Sequence, residues 1–245
     1  MKEFLIVTVC LNGEQTIRDT LDSVDCQRGV TISHVVKDGA SKDRTGEILS
    51  EKMHAHRLVV SCPDTGIYDA FNQALKLGVG KYIGFLNSDD CFGDVDLLAK
   101  VKAKFESCDL DVVMIPCRMI RDGVSIRYFD PGRFSRWGLE TGWMPPHPGV
   151  FFKASCLDSV GDFDNRLAIS GDYDFLFRLF SIPHLKVDTL ENAEIVMLGG
   201  GASNGSVSKL IKCFIEDWRI LRKRAKFPLI ALIGKKFRKL RTVVG

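Results

Sequence analysis

Residues 82–90 read Tyr-Ile-Gly-Phe-Leu-Asn-Ser-Asp-Asp, and this stretch decides the fold class of the chain. Its apolar run, 82–86, is continuous rather than alternating, which predicts a strand that is buried on both faces of a sheet. The run ends in two adjacent carboxylates, Asp89 and Asp90. Ligands bind at the carboxyl ends of strands in open α/β sheets, and adjacent carboxylates repel each other unless a cation joins them. The stretch therefore indicates a site for a divalent metal and a phosphate, although Asp before a loop is also ordinary turn chemistry.

Strands and helices alternate along the first half of the chain. We predict strands at 4–10, 32–36, 57–61 and 82–86, separated by helices at 14–25, through 48–49 and at 67–77. This alternation is typical of an α/β fold with a mostly parallel sheet and helical crossovers. The second half is less regular, with predicted helices at 95–105, 154–159 and from 171, and strands at 112–121, 124–129, 150–152, 186–189 and 194–198. Asp122-Gly123 predicts a hairpin turn, and Gly199-Gly200-Gly201 a mobile loop.

The composition fits one large globular domain or two closely joined lobes, because 45% of the 245 residues are hydrophobic and 27% are charged. Eight scattered cysteines, with no Cys-x-x-Cys pair, indicate free thiols in a reducing compartment rather than disulfides or a zinc site. The five histidines, His54 and His56 among them, form no convincing metal cluster. The first strand is too short for a secretory signal, and no run of about 18 apolar residues occurs, so we expect a cytosolic chain without a transmembrane helix.

The charge is divided unevenly along the chain. Residues 209–245 contain twelve basic and two acidic side chains, a net charge of +10, so residues 1–208 carry −7. Apolar residues at helical spacing accompany the basic ones, which is typical of an amphipathic segment that binds an anionic membrane surface. A packed C-terminal helix with a solvated basic end, or a nucleic-acid patch, would give the same pattern. We expect 209–221 to pack on the domain and favour the membrane for the remainder.

Candidate ligand-binding residues follow the predicted strands. Asp38, with Ser41 three residues on, begins a loop where a carboxylate can accept hydrogen bonds from a base or sugar, although a simple turn would look the same. Asp69 and Asn72 share one face at the start of a helix. A capping role for Asp64 at that helix is the plainer interpretation.

Asp172 lies at the start of a predicted helix beside the small residues Ser170 and Gly171. A carboxylate in this position can act as a general base, or it can only cap the helix. His147 follows two prolines in a rigid loop and could bind an acceptor or line the site. Dinucleotide, P-loop and nucleophile-elbow motifs are absent from the sequence, which argues against those classes of enzyme.

Six stretches, taken in order, resemble the family 2 glycosyltransferases with a GT-A fold. They are 9–12 (VCLN), 38–45 (DGASKDRT), 64–72 (DTGIYDAFN), 86–90 (LNSDD), 147–152 (HPGVFF) and 171–178 (GDYDFLFR). The resemblance covers about residues 3–205 and is strongest to the branch that builds bacterial exopolysaccharide and the O-antigen of lipopolysaccharide. It implies a nucleotide-sugar-binding half at 1–95 and a catalytic, acceptor-binding half at 96–208, followed by the basic helical tail at 209–245.

The resemblance also implies a reaction and roles for residues. The reaction is a metal-dependent, inverting transfer of a hexosyl or acetamidohexosyl group from a nucleotide donor, UDP by expectation, to a polyprenyl-diphosphate-linked saccharide. The implied catalytic base is Asp172, and the implied ligand of Mg²⁺ or Mn²⁺ is Asp90. The implied donor-binding residues are Thr8, Asn12, Asp38, Ser41, Asp69, Asn72 and Asp89, and the implied acceptor-binding residues are His147 and Tyr173. The enzyme would work in the cytoplasm, peripherally bound to the inner membrane, and would not bind nucleic acid.

Two positions depart from the family pattern. Phe71 stands where many relatives have Arg, and Gln73 where the polysaccharide branch often has Lys, so a cation near the nucleotide is missing. No His follows Asp172 to complete a metal shell. Two other classes stay open on the residues alone: a sugar nucleotidyltransferase, for which the triphosphate loop is lacking, and a non-catalytic nucleotide- or saccharide-binding module at the membrane surface.

Overall fold

The computed structural model describes residues 2–198 and 207–240, which form two sheets flanked by helices. The strands are β1 (Phe4–Cys10), β2 (Ile32–Asp38), β3 (Arg57–Ser61), β4 (Tyr82–Phe85), β5 (Asp90–Phe92), β6 (Val112–Met114), β7 (Cys117–Arg121), β8 (Val124–Phe129), β9 (Val150–Lys153), β10 (Val187–Thr189) and β11 (Ile195–Leu198). The helices are α1 (Ile17–Asp25), α2 (Thr45–Glu51), α3 (Ile67–Leu75), α4 (Leu97–Cys108), α5 (Arg136–Glu140), α6 (Leu157–Val160), α7 (Gly171–Phe180), α8 (Val207–Arg224) and α9 (Pro228–Leu240). The predicted loop Gly199–Gly201 lies outside the described residues.

The larger sheet has seven strands in the order β10-β6-β9-β4-β1-β2-β3. Strands β4, β1, β2 and β3 are parallel, while β9 runs antiparallel between β4 and β6. The predicted parallel core with helical crossovers is therefore confirmed. The register sets Cys10 beside Asp38 and Val7 beside Phe85, so the loops that follow these strands emerge at one edge.

Packing on both faces explains the continuous apolar runs. Leu5 and Val7 of β1 belong to a core shared with α3 and α7, whereas Phe4 and Ile6 face a second core that contains residues of α4. All four side chains are at most 2% exposed. A strand in this position has no polar face, so its sequence does not alternate.

The predicted strand 112–121 is two strands in the structure. β6 lies in the larger sheet, and β7 lies in a four-stranded sheet of order β5-β11-β7-β8. The break falls at Pro116, which has no N–H to continue a ladder. The hairpin predicted at Asp122-Gly123 is confirmed, and both residues have the positive φ, 51° and 75°, that a tight turn between β7 and β8 requires.

Both helices of the C-terminal segment pack on the domain, which agrees with the prediction for 209–221 and differs from the one for the residues beyond. Leu221 of α8 and Ala231 of α9 are fully buried. Lys235 of α9 donates to the buried Asp217 of α8 over 2.6 Å. The backbone of α9 also lies so close to the loop after α5 that a Cβ on Gly234 would be 2.0 Å from a carbonyl oxygen. α9, for which membrane binding was favoured over packing, therefore packs on the domain, and membrane binding by the residues beyond 221 stays a prediction.

Candidate active site

The loops that follow β1, β2, β3 and β4 meet at the carboxyl edge of the larger sheet. A Cβ on Gly13, after β1, would lie 3.5 Å from the hydroxyl of Ser88, after β4. A Cβ on Gly39, after β2, would meet the carboxylate of Asp64, after β3, at 2.8 Å. Glycine thus allows these loops to approach closely, as at ligand sites of α/β folds.

Asp38, Ser41 and Asn12 form one hydrogen-bonded group. The Asp38 carboxylate is 1% exposed and accepts from the hydroxyls of Ser41 and Ser61, each over 2.5 Å. The Ser41 hydroxyl accepts in turn from the backbone N–H of Asn12 over 2.8 Å, and the Asn12 side chain accepts from the N–H of Lys42. These three predicted donor-side residues are therefore brought together, and the loops after β1 and β2 are held by them.

Lys37 is a buried cation beside the candidate site, and the sequence analysis missed it. Its ammonium group is fully buried and donates to the carbonyls of Asp38 and Cys62 and, over 3.2 Å, to the Asp64 carboxylate. These bonds leave the Lys37 ammonium group buried among the loops after β2 and β3, so it does not replace the cation that Phe71 and Gln73 do not supply. A lone lysine inside the buried strand 32–38 was the available signal, because an unpaired charge is not buried in a strand.

Thr8 is directed into the protein rather than toward the edge. Its hydroxyl is fully buried and lies 3.0 Å from Nε2 of His34. His34 accepts from Arg57, which donates to Asp25 over 2.6 Å. Burial lowers the pKa of His34 well below its usual value, so the imidazole is neutral. The Thr8 hydroxyl is satisfied by this chain, and the structure does not bring it to the other donor-side residues.

Asp69 and Asn72 both bind protein groups near the start of α3. Asn72 is 6% exposed and pairs with the backbone N–H and C=O of Phe163 over 2.8 and 2.9 Å. Asp69 accepts from the backbone N–H of Thr65 and the side chain of Gln73, each over 3.0 Å. The Thr65 bond is the main reason that the pKa of Asp69 is lowered. These residues fasten α3 to the segment before α7. Direct contact of Asp69 and Asn72 with a nucleotide sugar stays a prediction.

Asp89 and Asp90 lie just beyond β4. Asp90 is 1% exposed and accepts both the backbone N–H and the side-chain amide of Asn87 at its Oδ2 atom. Burial, with a further effect of the Asp89 charge, raises the pKa of Asp90 to about 8, and burial also raises that of Asp89. A buried and a half-buried carboxylate in adjacent positions, both with raised pKa values, are a pair of ligands that a hard divalent cation would stabilise.

Asp172 is the second residue of α7, and its Oδ1 atom accepts from its neighbour's backbone N–H over 2.8 Å. Tyr68, which the sequence analysis did not single out, donates to the carbonyl of Ile169 over 2.6 Å and lies 3.4 Å from the same Oδ1 atom. Burial raises the pKa of Tyr68, so its O–H remains a donor. Asp172 is half-buried and is thereby oriented from α3 as well as from α7.

His147 lies in an aromatic cluster between β4 and Asp172. Its ring stacks on Phe85 with centroids 4.8 Å apart. Within the described residues its buried Nε2 atom has no hydrogen-bond partner. Burial lowers the pKa of His147, and the Asp172 charge acts in the opposite direction. The imidazole lies near Asp172, but its Nε2 atom is enclosed, so the acceptor contact predicted for His147 stays a prediction.

Tyr173 points away from this group, although acceptor binding was predicted for it. Its side chain is 3% exposed, and Lys235 of α9 lies 3.5 Å from its ring centroid. Successive positions on a helix face different directions, so α7 presents Asp172 toward α3 and Tyr173 toward the C-terminal helices. The structure does not bring Tyr173 together with Asp172 and His147.

One cluster of metal-ligand type lies elsewhere, contrary to the expectation for the histidines. Ligand atoms of Asp25, His54 and His56 are within 4.8 Å of one another. They surround the beginning of β3, which is the opposite end of this parallel strand from the candidate site. The Arg57 guanidinium already donates to Asp25 there, so protein charge neutralises this carboxylate.

A family model described as "Glycosyl transferase family 2" matches residues 5–160. A "PGL/p-HBAD biosynthesis glycosyltransferase" of Mycobacterium tuberculosis is 30% identical in a 197-residue alignment that covers 74% of this chain and 71% of the relative. The match to the family model extends past the end of β4 and so includes Asp89 and Asp90, the candidate metal ligands.

Solved structures show the same fold at low sequence identity. TarS of S. aureus in complex with UDP-GlcNAc has a TM-score of 0.71 at 18% identity, with 89% of this chain and 65% of that chain covered. Against a longer TarS structure the chain spans 43% of the length of TarS. The mannosyltransferase PcManGT of Pyrobaculum calidifontis, in complex with GDP-Man and Mn²⁺, has a TM-score of 0.67 at 16% identity over 96% of this chain and 69% of that one.

Proposed function

The chain belongs to glycosyl transferase family 2 and has the GT-A fold, and from this premise we propose that it transfers a sugar from a UDP-sugar to a hydroxyl of a lipid-linked saccharide, with inversion and with a divalent metal. The observation that carries the proposal is Asp90. This carboxylate is buried, its pKa is raised to about 8, and it lies where the strands of the sheet end. Such a group fits the binding of a cation together with a diphosphate.

Asp90, with Asp89 beside it, would hold Mg²⁺ or Mn²⁺. The ion, when bound, would neutralise charge on the departing diphosphate. On the donor side, the bonds of Asp38, Ser41 and Asn12 support a rigid loop for the nucleoside. Lys37, which holds Asp64 and the Asp38 carbonyl, keeps the same loops together.

Asp172 would act as the base. The acceptor oxygen forms a bond to the anomeric carbon while the bond from that carbon to the diphosphate oxygen breaks, and the hydroxyl proton moves to Asp172. Tyr68 keeps the carboxylate oriented, and the ring of His147, whose buried Nε2 atom has no partner among the described residues, would lie behind the acceptor side of the site. Attack from the face opposite the diphosphate gives inversion. Family membership supports transfer over the nucleotidyltransferase and binding-module alternatives.

The acceptor is proposed to be a polyprenyl-diphosphate-linked saccharide of bacterial surface polysaccharide biosynthesis. The similar mycobacterial protein is named for PGL/p-HBAD biosynthesis, and that name does not specify a polyprenyl-diphosphate-linked acceptor. The class of acceptor is therefore a matter for experiment. Within the described ranges, no helix combines the length and apolarity that crossing a membrane would need. Because the proposed acceptor is lipid-borne, we place the enzyme at the cytoplasmic face of the inner membrane and propose that it binds there peripherally.

An apolar surface on α8 and α9 supports such peripheral binding. We name it the apolar face; its members are 42–66% exposed, and they are Leu210, Ile211, Phe214, Ile215, Leu229, Ile230, Ile233 and Phe237. Lys236 of α9 lies 5.8 Å from the ring of Phe214 of α8, so the two helices contribute to one surface. Contiguous exposed apolar side chains of this number mark a partner or a membrane.

The charges around the apolar face favour an anionic membrane as that partner. Both acidic residues of the tail, Glu216 and Asp217, are at most 4% exposed, so the tail presents basic groups to its surroundings. Exposed basic side chains on these helices and on the turn between them are Lys209, Lys212, Arg219, Arg222, Lys223, Lys226, Lys236 and Arg238. Each contributes about 1 kcal/mol near an anionic surface.

Nucleotide release tests the enzymatic proposal. Purified protein with Mn²⁺ would be assayed against UDP-, GDP- and dTDP-sugars, together with Asp90→Ala, Asp172→Asn and, as a control, the exposed Asp96→Asn. We expect release from one UDP-sugar, lowered at least about 100-fold in the first two variants and unchanged in the control. Turnover of no nucleotide sugar with any divalent ion would refute the proposal.

Vesicle sedimentation tests the membrane proposal without removing α9, whose Lys235 partners a buried carboxylate. The double variant Ile230→Ser and Phe237→Ser should lose binding to phosphatidylglycerol vesicles. Val124→Ser, which changes an apolar residue of similar exposure (63%) on the hairpin, should bind like the wild type. Equal binding by all three proteins would exclude the apolar face as the contact.

A further inference from the structure

Glu216 of α8 is a buried carboxylate that the proposed reaction does not use. It is 4% exposed and accepts three consecutive backbone N–H groups, those of Ala168, Ile169 and Ser170, over 2.9–3.0 Å. Hydrogen bonds to a charged acceptor are roughly twice as strong as neutral ones. The segment 168–170 is therefore fixed by a residue that lies 46–48 positions further along the chain.

The segment that Glu216 holds leads directly into α7. Ser170 is the N-cap residue of α7, and its own side chain makes no capping hydrogen bond. The carboxylate of Glu216 binds this end of the helix from outside, where negative charge is also favoured by the helix dipole. The position of the first turn of α7, which contains Asp172, thus depends on α8.

The same segment is held on its other side by Tyr68. The carbonyl of Ile169 accepts from the Tyr68 hydroxyl over 2.6 Å, while its N–H donates to Glu216. Gly171 lies flat against the tyrosine ring, since a Cβ there would be 2.6 Å from ring carbons. Tyr68 and Glu216 together determine where the Asp172 carboxylate lies.

We propose that Glu216 is a positioning residue for glycosyl transfer, which acts by fixing 168–170 and hence the Asp172 carboxylate. The inference rests on the proposed function, because it takes Asp172 as the base. A glutamine at this position would offer one acceptor oxygen, and its NH₂ group would face an N–H donor. The loop would then relax, and a base displaced by a fraction of an ångström to 1 Å loses a large part of its effect.

Asp217 provides a matched control on the same helix. It is 1% exposed and pairs with Lys235 over 2.6 Å, so it joins α8 to α9 and makes no bond to the backbone of 168–170. A purely structural role of Glu216 would make Glu216→Gln and Asp217→Asn alike in their effects. A positioning role separates them.

The experiment measures kcat and KM for the donor found by nucleotide release, and thermal unfolding. Glu216→Gln should lower kcat about tenfold or more with KM within about twofold of wild type, whereas Asp217→Asn should lower the melting temperature with a smaller loss of kcat. On the Asp172→Asn background, Glu216→Gln should lower residual turnover less than about twofold, because the base is already absent. Should Glu216→Gln fail to fold, Glu216→Asp, which keeps the charge, takes its place with an intermediate loss of kcat.

The outcomes separate this inference from the proposed function. Wild-type kcat in Glu216→Gln, with Asp172→Asn inactive, would overturn the positioning role alone. Fully multiplicative losses in the double variant would overturn it as well. Full turnover in Asp172→Asn would refute the proposed base, and the positioning role with it.

Discussion

The pKa of Asp90 allows a prediction about how the stability of the protein depends on pH, because burial opposes the ionisation of this carboxyl group in the folded state. Its pKa is raised from 3.8 to about 8, mainly by burial. A raised acid pKa means that the folded state holds a proton that the unfolded state has lost. The stability that this proton provides is complete below pH 4 or so and is lost as the pH rises to about 8, at about 1.4 kcal/mol per pH unit.

Asp90→Asn removes this ionisation while keeping the shape of the side chain. In metal-free buffer, the free energy of unfolding of the variant minus that of wild type should increase between about pH 5 and pH 8, by up to about 4 kcal/mol, and level off above. Urea denaturation at several pH values measures this difference. The slope is the decisive quantity, since any fixed cost of the asparagine is the same at every pH.

Asp96→Asn, an exposed change six residues away, should give a curve parallel to wild type. Parallel curves for Asp90→Asn as well would refute the reasoning, because the carboxylate would then ionise without cost. Mn²⁺ should raise the stability of wild type at pH 8, by about 2.7 kcal/mol at 100 times its dissociation constant, and should leave Asp90→Asn unchanged.

Three further changes test how the site is held. Asn72→Ala leaves a backbone N–H and C=O of the segment before α7 unpaired, so the free energy of unfolding in urea should fall by about 2–3 kcal/mol. Gly171→Ala places a methyl group 2.6 Å from ring carbons of Tyr68 and should lower kcat about tenfold or more in the nucleotide-release assay, with donor affinity by calorimetry unchanged. Gly234→Ala brings a Cβ to 2.0 Å from the Thr141 carbonyl oxygen and should detach α9, which proteolysis within 228–240 would reveal; resistance equal to wild type would contradict the packing of α9.

The sequence predicted those parts of the fold that short-range patterns determine. The strand at 82–85 and the Asp122-Gly123 turn were identified correctly, since burial on two faces and a positive φ each leave a local signature. The break at Pro116 was missed because apolar residues continue across it into a different sheet. Hydrophobicity reports that a residue is buried and not which neighbours bury it.

Only part of the candidate site could be predicted from the sequence. Asp38 and Asp90 could be found because strand ends in this fold converge on one edge. Lys37 and Glu216 could not be assigned partners, because those lie on other elements and are brought near only by the complete fold. Tyr173 was placed on the wrong side, since which direction α7 faces is set by α8 and α9.

The bonds of Glu216 also impose an order on biosynthesis. The ribosome makes 168–170 before it makes Glu216, and 46–48 residues separate them, which at usual rates of elongation is roughly 2–10 s. During that interval the strands whose ends form the candidate site have been synthesised, while the three N–H groups before α7 still lack their carboxylate. On the proposed roles of Asp172 and Glu216, a nascent chain aligns its base only after α8 has been added, and α8 is also the first of the two helices that carry the apolar face.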